Sequence, residues 1–217
     1  MKTDAQLQTD VQQELKWAPQ VDARHVALTT KDGAVTLSGH VPSYIQKVRA
    51  VAAAERVYGV KAVADEIEVR IHEAHTREDS DIAESVARVL EWNLEFVDLD
   101  IQARVANGHV TLTGEVTSNF QRDDAASAVH HILGVKAVTN GITVKPRAVI
   151  AQVEKQIANA LARHAQLDAR QILVTTSGST ATLTGHVHSL DEARVAKSAA
   201  LSAPGISKVN DRLVIQP

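Results

Sequence analysis

The sequence predicts an α+β protein made of three tandem αββαβ modules, each a three-stranded mixed sheet with two helices packed on one face. Three observations predict it. The segment Val-Thr-Leu-Ser-Gly-His-Val at 35–41 returns in close variants at 110–116 and 181–187. A second glycine follows the first at the same spacing in every copy. Each copy also begins with helical and ends with alternating apolar periodicity. The predicted modules are 1–72, 76–146 and 147–217.

The first element of each module is a predicted helix. Its apolar residues recur at every fourth position, which places them on one helix face. They are Leu7, Val11 and Leu15, then Ile82, Val86 and Leu90, then Val153, Ile157 and Leu161. In the second module the acidic run at 78–81 stands where this helix begins, and acidic side chains favour a helix N-terminus because of the helix dipole.

Two strands joined by a tight turn follow the first helix. Alternating apolar and polar residues predict both strands. The dipeptides Asp-Gly at 32–33 and Asn-Gly at 107–108 suit a type I′ turn, in which both central residues take positive φ. The third module has Gly-Ser at 178–179 instead, and Ala181 replaces an inward valine, so we expect a weaker hairpin there.

A second helix and a final strand complete each module. A serine followed three residues later by Gln or Glu predicts a capping box at the start of the helix. These pairs are Ser43 and Gln46, Ser118 and Gln121, and Ser189 and Glu192. The helix then carries an alanine-rich face, which lets its axis lie close to the sheet. A glycine is expected to end it in a left-handed C-cap, before the alternating Val and Ile of the last strand.

This arrangement resembles the BON domain, a family named after bacterial osmotically inducible periplasmic proteins and nodulation proteins. The resemblance rests on the Leu-x-Gly end of the hairpin, the alanine-rich helix and the Gly-Val-x-x-Val segment, and it covers nearly the whole chain three times. It implies a non-enzymatic role in contact with phospholipid membranes or other envelope components during osmotic or envelope stress. The motif glycines, which we interpret as strand-end and helix-end backbone features, are Gly39, Gly59, Gly114, Gly134, Gly185 and Gly205.

Composition argues against several classes of site. The chain has no cysteine, which excludes disulfides, thiolate metal sites and a Cys nucleophile. It shows no nucleophile elbow, HExxH or P-loop, and its histidine pairs have no partnered second pair. Those pairs are His72 and His75, His130 and His131, and His186 and His188. With a net charge of −3 and no interleaving of basic and aromatic residues, nucleic acid is not a predicted partner. We therefore expect no catalytic residue, metal or cofactor.

The predicted contact site lies at the ends of the first helices. Trp17 and Trp92 occupy equivalent positions in the first two modules, and Arg163 stands there in the third. An indole at a helix end suits a lipid interface, and Leu94 and Phe96 add apolar area beside Trp92. The expected partner is an anionic phospholipid surface or a protein. The alternative is that both Trp residues seal a module core or an inter-module contact.

Two other functions remain open. One is a scaffolding or oligomerising stress protein, favoured by unpaired sheet edges and by a net charge of −6 over residues 73–146 against +3 over 147–217. The other is binding of a small ligand or ion where modules meet. The polar N-terminal segment lacks the apolar region of a secretory signal, and no run is long enough to span a membrane. The sequence as written thus predicts a cytoplasmic protein, and a periplasmic one if a longer precursor was trimmed.

Overall fold

The computed structural model of the protein describes residues 2–92, 100–145, 152–164, 167–168 and 171–216. It confirms the predicted α+β class, with the order helix, strand, strand, helix, strand in each module. The first module contains α1 (Asp4–Trp17), β1 (Val26–Lys31), β2 (Ala34–Val41), α2 (Tyr44–Arg56) and β3 (Ala62–Val69). The second contains α3 (Asp79–Trp92), β4 (Ile101–Ala106), β5 (His109–Val116), α4 (Asn119–Val129) and β6 (Ala137–Val144). The third contains α5 (Val153–Arg163), β7 (Ile172–Ser177), β8 (Thr180–Val187), α6 (Leu190–Leu201) and β9 (Lys208–Ile215).

Each module has one mixed sheet with the second strand of its hairpin in the middle. That strand pairs antiparallel with the strand before it and parallel with the last strand of the module. The register is the same in all three modules. The first motif glycine pairs with the first residue of the hairpin in each: Gly39 with Val26, Gly114 with Ile101 and Gly185 with Ile172. Both helices lie on one face of the sheet, and the other face is open.

One apolar core fills the space between the sheet and the two helices of each module. The first helices bury the residues that the sequence places on one face, for example Leu7, Val11 and Leu15 in α1. The second helices contribute small side chains, and Ala50, Ala53 and Ala54 of α2 are completely buried. The alanine face therefore brings the second helix close to the sheet, as its composition predicts.

A carboxylate from the first helix holds the hairpin turn. Asp79 accepts hydrogen bonds from the backbone N–H groups of Asn107 at 2.7 Å and Gly108 at 2.8 Å. Asp4 makes the same pair of contacts in the first module, and Glu154 binds the Thr176 backbone and hydroxyl in the third. The acidic start of the first helix therefore also fixes the hairpin to it, a long-range contact that the dipole argument does not include.

The capping box predicted at the second helix differs among the modules. It is complete in the second, where Ser118 accepts from the Gln121 backbone and Gln121 accepts from the Ser118 backbone. In the third module the serine half forms. In the first the prediction was wrong: Ser43 makes no cap bond, and the Gln46 side chain accepts from the Asp22 backbone at 2.9 Å instead. Because the Gln46 side chain bonds to the loop that leads into β1, it does not complete the capping box at the start of α2.

The glycines predicted to end the second helices do take positive φ, but the helices stop earlier. The φ angles are +91° at Gly59, +92° at Gly134 and +87° at Gly205. The residue after each helix already bonds to the preceding turn, as Val57 N–H does to the Ala54 carbonyl, which tightens the end. A short turn then separates helix and glycine, so the prediction of a glycine C-cap was wrong in position.

Candidate functional site

Three equivalent seams join the modules to one another. At each seam the first residue of a second helix packs on another module: Tyr44 on the second module, Asn119 on the third and Leu190 on the first. The first module therefore contacts the second, the second contacts the third and the third contacts the first, each through the equivalent residue. Interfaces of this heterologous kind close into a ring when the rotation is right. The chain is therefore a closed ring of three modules with approximate threefold symmetry.

The seam between the first and second modules is aromatic. Tyr44 meets His130 edge to face, with ring centroids 5.2 Å apart. Burial raises the pKa of Tyr44, and a hydrogen bond with the Val138 backbone opposes that shift. Burial also lowers the pKa of His130, with a smaller contribution from the charge of His131. The neutral imidazole is therefore the form that this seam favours.

Acidification is expected to weaken this seam. Because the folded-state pKa of His130 lies below the unfolded value near 6.5, the unfolded state binds more protons between those two values, and stability falls as pH falls through that window. Urea unfolding at pH 7.5 and 5.5 measures the loss. His130→Gln is expected to lose less on acidification than the parent chain does. An equal loss in both proteins would show that other groups cause it.

An amide forms the seam between the second and third modules. Asn119 is 4% exposed, and its side-chain N–H groups donate to the carbonyls of Leu201 and Ile206, each at 3.2 Å. Its Oδ1 is buried without a hydrogen-bond partner in the described part of the chain. An unsatisfied buried acceptor costs about 1–3 kcal/mol. The two hydrogen bonds that Asn119 donates therefore hold this seam against that cost. A cavity of about 220 Å³ lies beside it.

A backbone hydrogen bond and a pair of stacked rings form the seam between the third and first modules. Gly59 N–H donates to the His188 carbonyl at 3.1 Å, and the Tyr58 and His188 rings stack with centroids 5.6 Å apart. Helices α2 and α6 pack against each other. Burial raises the pKa of Glu55, and Arg194 of the third module partly offsets that shift. These modules are the farthest apart along the chain, so their contact is what closes the ring.

Both indoles of the predicted contact site are exposed. Trp17 is 83% and Trp92 82% exposed at the ends of α1 and α3, which does not agree with the alternative that they seal a core or a seam. Arg163, at the end of α5, is exposed too. Leu94 and Phe96 lie outside the described residues. The two indoles and the guanidinium thus occupy equivalent positions at the ends of the first helices of the three modules.

A groove of about 350 Å³ lies between α1 and β1 of the first module. We call it the α1–β1 groove. Its apolar lining is Leu15, Val21, Ala23, Val26 and Leu28, and its polar lining is Gln12, Lys16, Asp22 and Arg24. Sequence reasoning missed this groove. Its sequence signal is the set of small and medium apolar residues between the end of α1 and the first strand.

A fork of hydrogen bonds fixes the charges at the rim of the α1–β1 groove. Arg24 donates from Nε to Asp22 Oδ1 at 2.8 Å and from a terminal nitrogen to Oδ2 at 2.6 Å. The hydrogen bonds from Arg24 hold the pKa of the Asp22 carboxyl far below its usual range. Asp22 and Arg24 thus neutralise each other, and the ammonium of Lys16 leaves the rim with a net positive charge.

The described residues hold no group of three or more His, Asp or Glu side chains placed to bind a metal ion. His72 and His75 lie in the linker with ring centroids 6.2 Å apart. His188 interacts with Glu192 and Tyr58, and His130 with Tyr44, so both belong to seams. Among the described helices, none combines the length and the apolar character needed to cross a bilayer.

Comparison with known proteins identifies the repeated unit. The chain is 31% identical to Osmotically-inducible protein Y of Escherichia coli (strain K12) over 131 residues, which are 58% of this chain and 64% of that protein. Two solved structures of CdsD, a structural protein of the Type III secretion system of Chlamydia trachomatis, are 21% identical, with a TM-score of 0.27. They align over 96% of this chain and over 91% and 96% of theirs. The family model described as the BON domain matches residues 3–71, 78–146 and 150–217. The chain therefore belongs to the BON domain family, with three copies of the domain in tandem.

Proposed function

We propose that the protein is a non-enzymatic binding protein of the bacterial envelope that engages anionic phospholipid surfaces under osmotic or envelope stress. The observation that carries the proposal is the exposure of Trp17 and Trp92 at equivalent positions of the ring. Trp favours the membrane interface, where its indole lies at the level of the lipid headgroups. The likeness to an osmotically inducible protein supports the stress context.

The ring makes weak contacts additive. A single indole at the headgroup level gives little affinity, but exposed indoles at equivalent positions of two modules, with Arg163 in the third, offer repeated contacts to one surface. Linked contacts of this kind gain by effective concentration when geometry allows simultaneous binding. The two indoles differ in their neighbours, because Lys16 precedes Trp17 whereas Glu91 precedes Trp92. On an anionic surface the contact at Trp17 is therefore the stronger one.

Co-sedimentation with phosphatidylglycerol vesicles at low salt tests the proposal. Trp17→Ala is expected to lower vesicle affinity about tenfold. Trp92→Ala is expected to lower it less, because Lys16 strengthens the contact of Trp17 with an anionic surface whereas Glu91 weakens the contact of Trp92. Tryptophan emission of the parent chain should shift to the blue on binding. Leu173→Ala, which removes a 63% exposed side chain from the open sheet of the third module, is the control. Absence of vesicle binding at low salt would reject the proposal.

Self-association is the second candidate function. The open sheet of the third module carries Leu173 and Val214, 63% and 57% exposed, together with Lys208 and Arg212. The second module is the acidic one, so a second copy offers charge complementarity. Light scattering across salt concentrations separates the candidates, because association through this sheet should appear at low salt and be lost in Arg212→Glu. A strict monomer at all concentrations would count against it.

A further inference from the structure

We propose that the open sheet face of the first module binds one late transition-metal ion, Zn²⁺ or Cu²⁺, through the imidazoles of His25 and His40, with Glu68 as a further ligand. These three residues form a line across the sheet, and we call it the histidine row. The inference goes beyond the proposed membrane function and does not depend on it. Its basis is the register of the sheet, the free nitrogens of both rings and the acidic third position.

The sheet places His25 and His40 side by side. Val26 pairs with Gly39, so the residues next to them, His25 and His40, lie opposite each other. A Cβ at position 39 would overlap the His25 carbonyl oxygen, so the glycine permits this close approach. The two rings stack with centroids 4.7 Å apart and 12° between their planes. The pair arises from strand register and not from a spacing along the chain, so the spacing of the histidines in the sequence does not reveal it.

Both rings keep their nitrogens available to a metal ion. In the part of the chain that the structure describes, neither imidazole makes a hydrogen bond. An imidazole nitrogen is a common ligand of Zn²⁺ and Cu²⁺. Because the torsion about the Cβ–Cγ bond of histidine is broad, one nitrogen of each stacked ring can turn toward a common ion. The pair then supplies two ligands, and water completes the coordination.

Glu68 continues the histidine row on the third strand. It pairs in register with His40, and paired residues project from the same face of a sheet. Val41 is buried in the core, so its neighbour His40 lies on the open face, and Glu68 with it. Glu68 meets Arg70 at 2.8 Å, but the two side chains are 67% and 63% exposed. Exposed ion pairs contribute little, so the carboxylate can exchange Arg70 for a metal ion.

The complete row occurs in the first module alone. The equivalent residues are Asp100, Glu115 and Thr143 in the second module, and Gln171, His186 and Val214 in the third. The second row offers oxygen ligands, which suit harder cations. The third has one histidine, which cannot chelate an ion without a second ligand. The proposed metal site is therefore a property of the first copy and not of the fold.

His72 and His75 are the competing pair. Their rings lie in the linker with centroids 6.2 Å apart. Nδ1 of His72 already accepts a hydrogen bond from the Ala74 backbone N–H at 3.3 Å, so one nitrogen of this pair is in use. The pair also lies on one short turn, whereas His25 and His40 are held by the sheet. We therefore place the ion at the histidine row.

Calorimetric titration of the full-length, untagged chain with zinc chloride tests the inference. We expect saturable binding of one equivalent of Zn²⁺. His40→Gln should weaken it by about tenfold or more, since loss of a direct ligand costs at least as much as loss of an outer-shell partner. Glu68→Gln should weaken it less. Substoichiometric Cu²⁺, which is paramagnetic, should broaden the amide signals of residues 25, 40 and 68 before those of the rest of the chain.

Three further variants make the result specific. His186→Gln removes the equivalent histidine of the third module, and His72→Gln removes one member of the competing pair, so both should bind like the parent chain. The double variant Gln171→His, Val214→Glu completes the row around His186 and should raise the stoichiometry to two. The inference is overturned by a parent chain without saturable binding, by His40→Gln binding like the parent, by loss of binding in His72→Gln, or by a double variant that still binds one ion.

Discussion

Gly114→Ala is expected to unfold the second module, with a loss of more than about 3 kcal/mol in the free energy of unfolding. The φ angle of Gly114 is +137°, a region that alanine rarely adopts. A Cβ built there would also overlap the backbone carbonyl oxygen of Asp100, which cannot move without separating β4 from β5. Gly39 and Gly185 meet the carbonyls of His25 and Gln171 in the same way, so the effect should recur in each module.

Gly178→Ala is the matched control for this prediction. Gly178 also has a positive φ, +55°, but no heavy atom lies within 4 Å of the Cβ position. Its cost should be limited to the left-handed backbone, about 1–2 kcal/mol. Urea unfolding followed by circular dichroism measures both changes. Equal losses in the two variants would show that backbone strain alone, and not the contact with the Asp100 carbonyl, determines the effect.

The strand-end glycines show which features of the fold the sequence can predict and which it cannot. Their threefold recurrence identifies them as backbone features, and hydrophobic periodicity predicts the order of elements around them, because both signals are local and repeated. The reason why Gly114 must be a glycine is a close approach to another strand, which no local pattern contains. The failed capping box has the same origin: Gln46 satisfies the helix rule, but a distant partner, Asp22, takes its side chain.

The seams were beyond sequence reasoning for a different reason. Tyr44, Asn119 and Leu190 occupy one equivalent position, but they share no chemistry, so alignment of the copies gives no sign of a shared role. Their effect depends on the rotation between modules. The sequence likewise shows that Trp17 and Trp92 are equivalent, but it does not show whether their side chains are buried or exposed. The groove likewise depends on how α1 lies beside β1.

Ring closure itself leads to the second large effect. In the double variant Tyr58→Cys, His188→Cys, a short bis-maleimide is expected to cross-link the chain within one molecule, producing a compact species on a denaturing gel. The Tyr58 and His188 rings are stacked at 5.6 Å, and the parent chain has no cysteine to interfere. The control pair is Leu133→Cys with His188→Cys. Leu133 is the equivalent of Tyr58 in the second module, and it is 53% exposed.

The two pairs separate the ring from an open chain of modules. In an open chain, positions 133 and 188 belong to adjacent modules and would meet more often than 58 and 188, because effective concentration falls as the connecting chain lengthens. The ring reverses this order, since its third module docks on the first. Intramolecular product from the 58–188 pair should exceed that of the control by about tenfold or more, as expected for sites held in contact. Equal yields, or cross-links only between molecules, would contradict the closed ring, and with it the equivalence of Trp17 and Trp92 around the ring on which the membrane proposal depends.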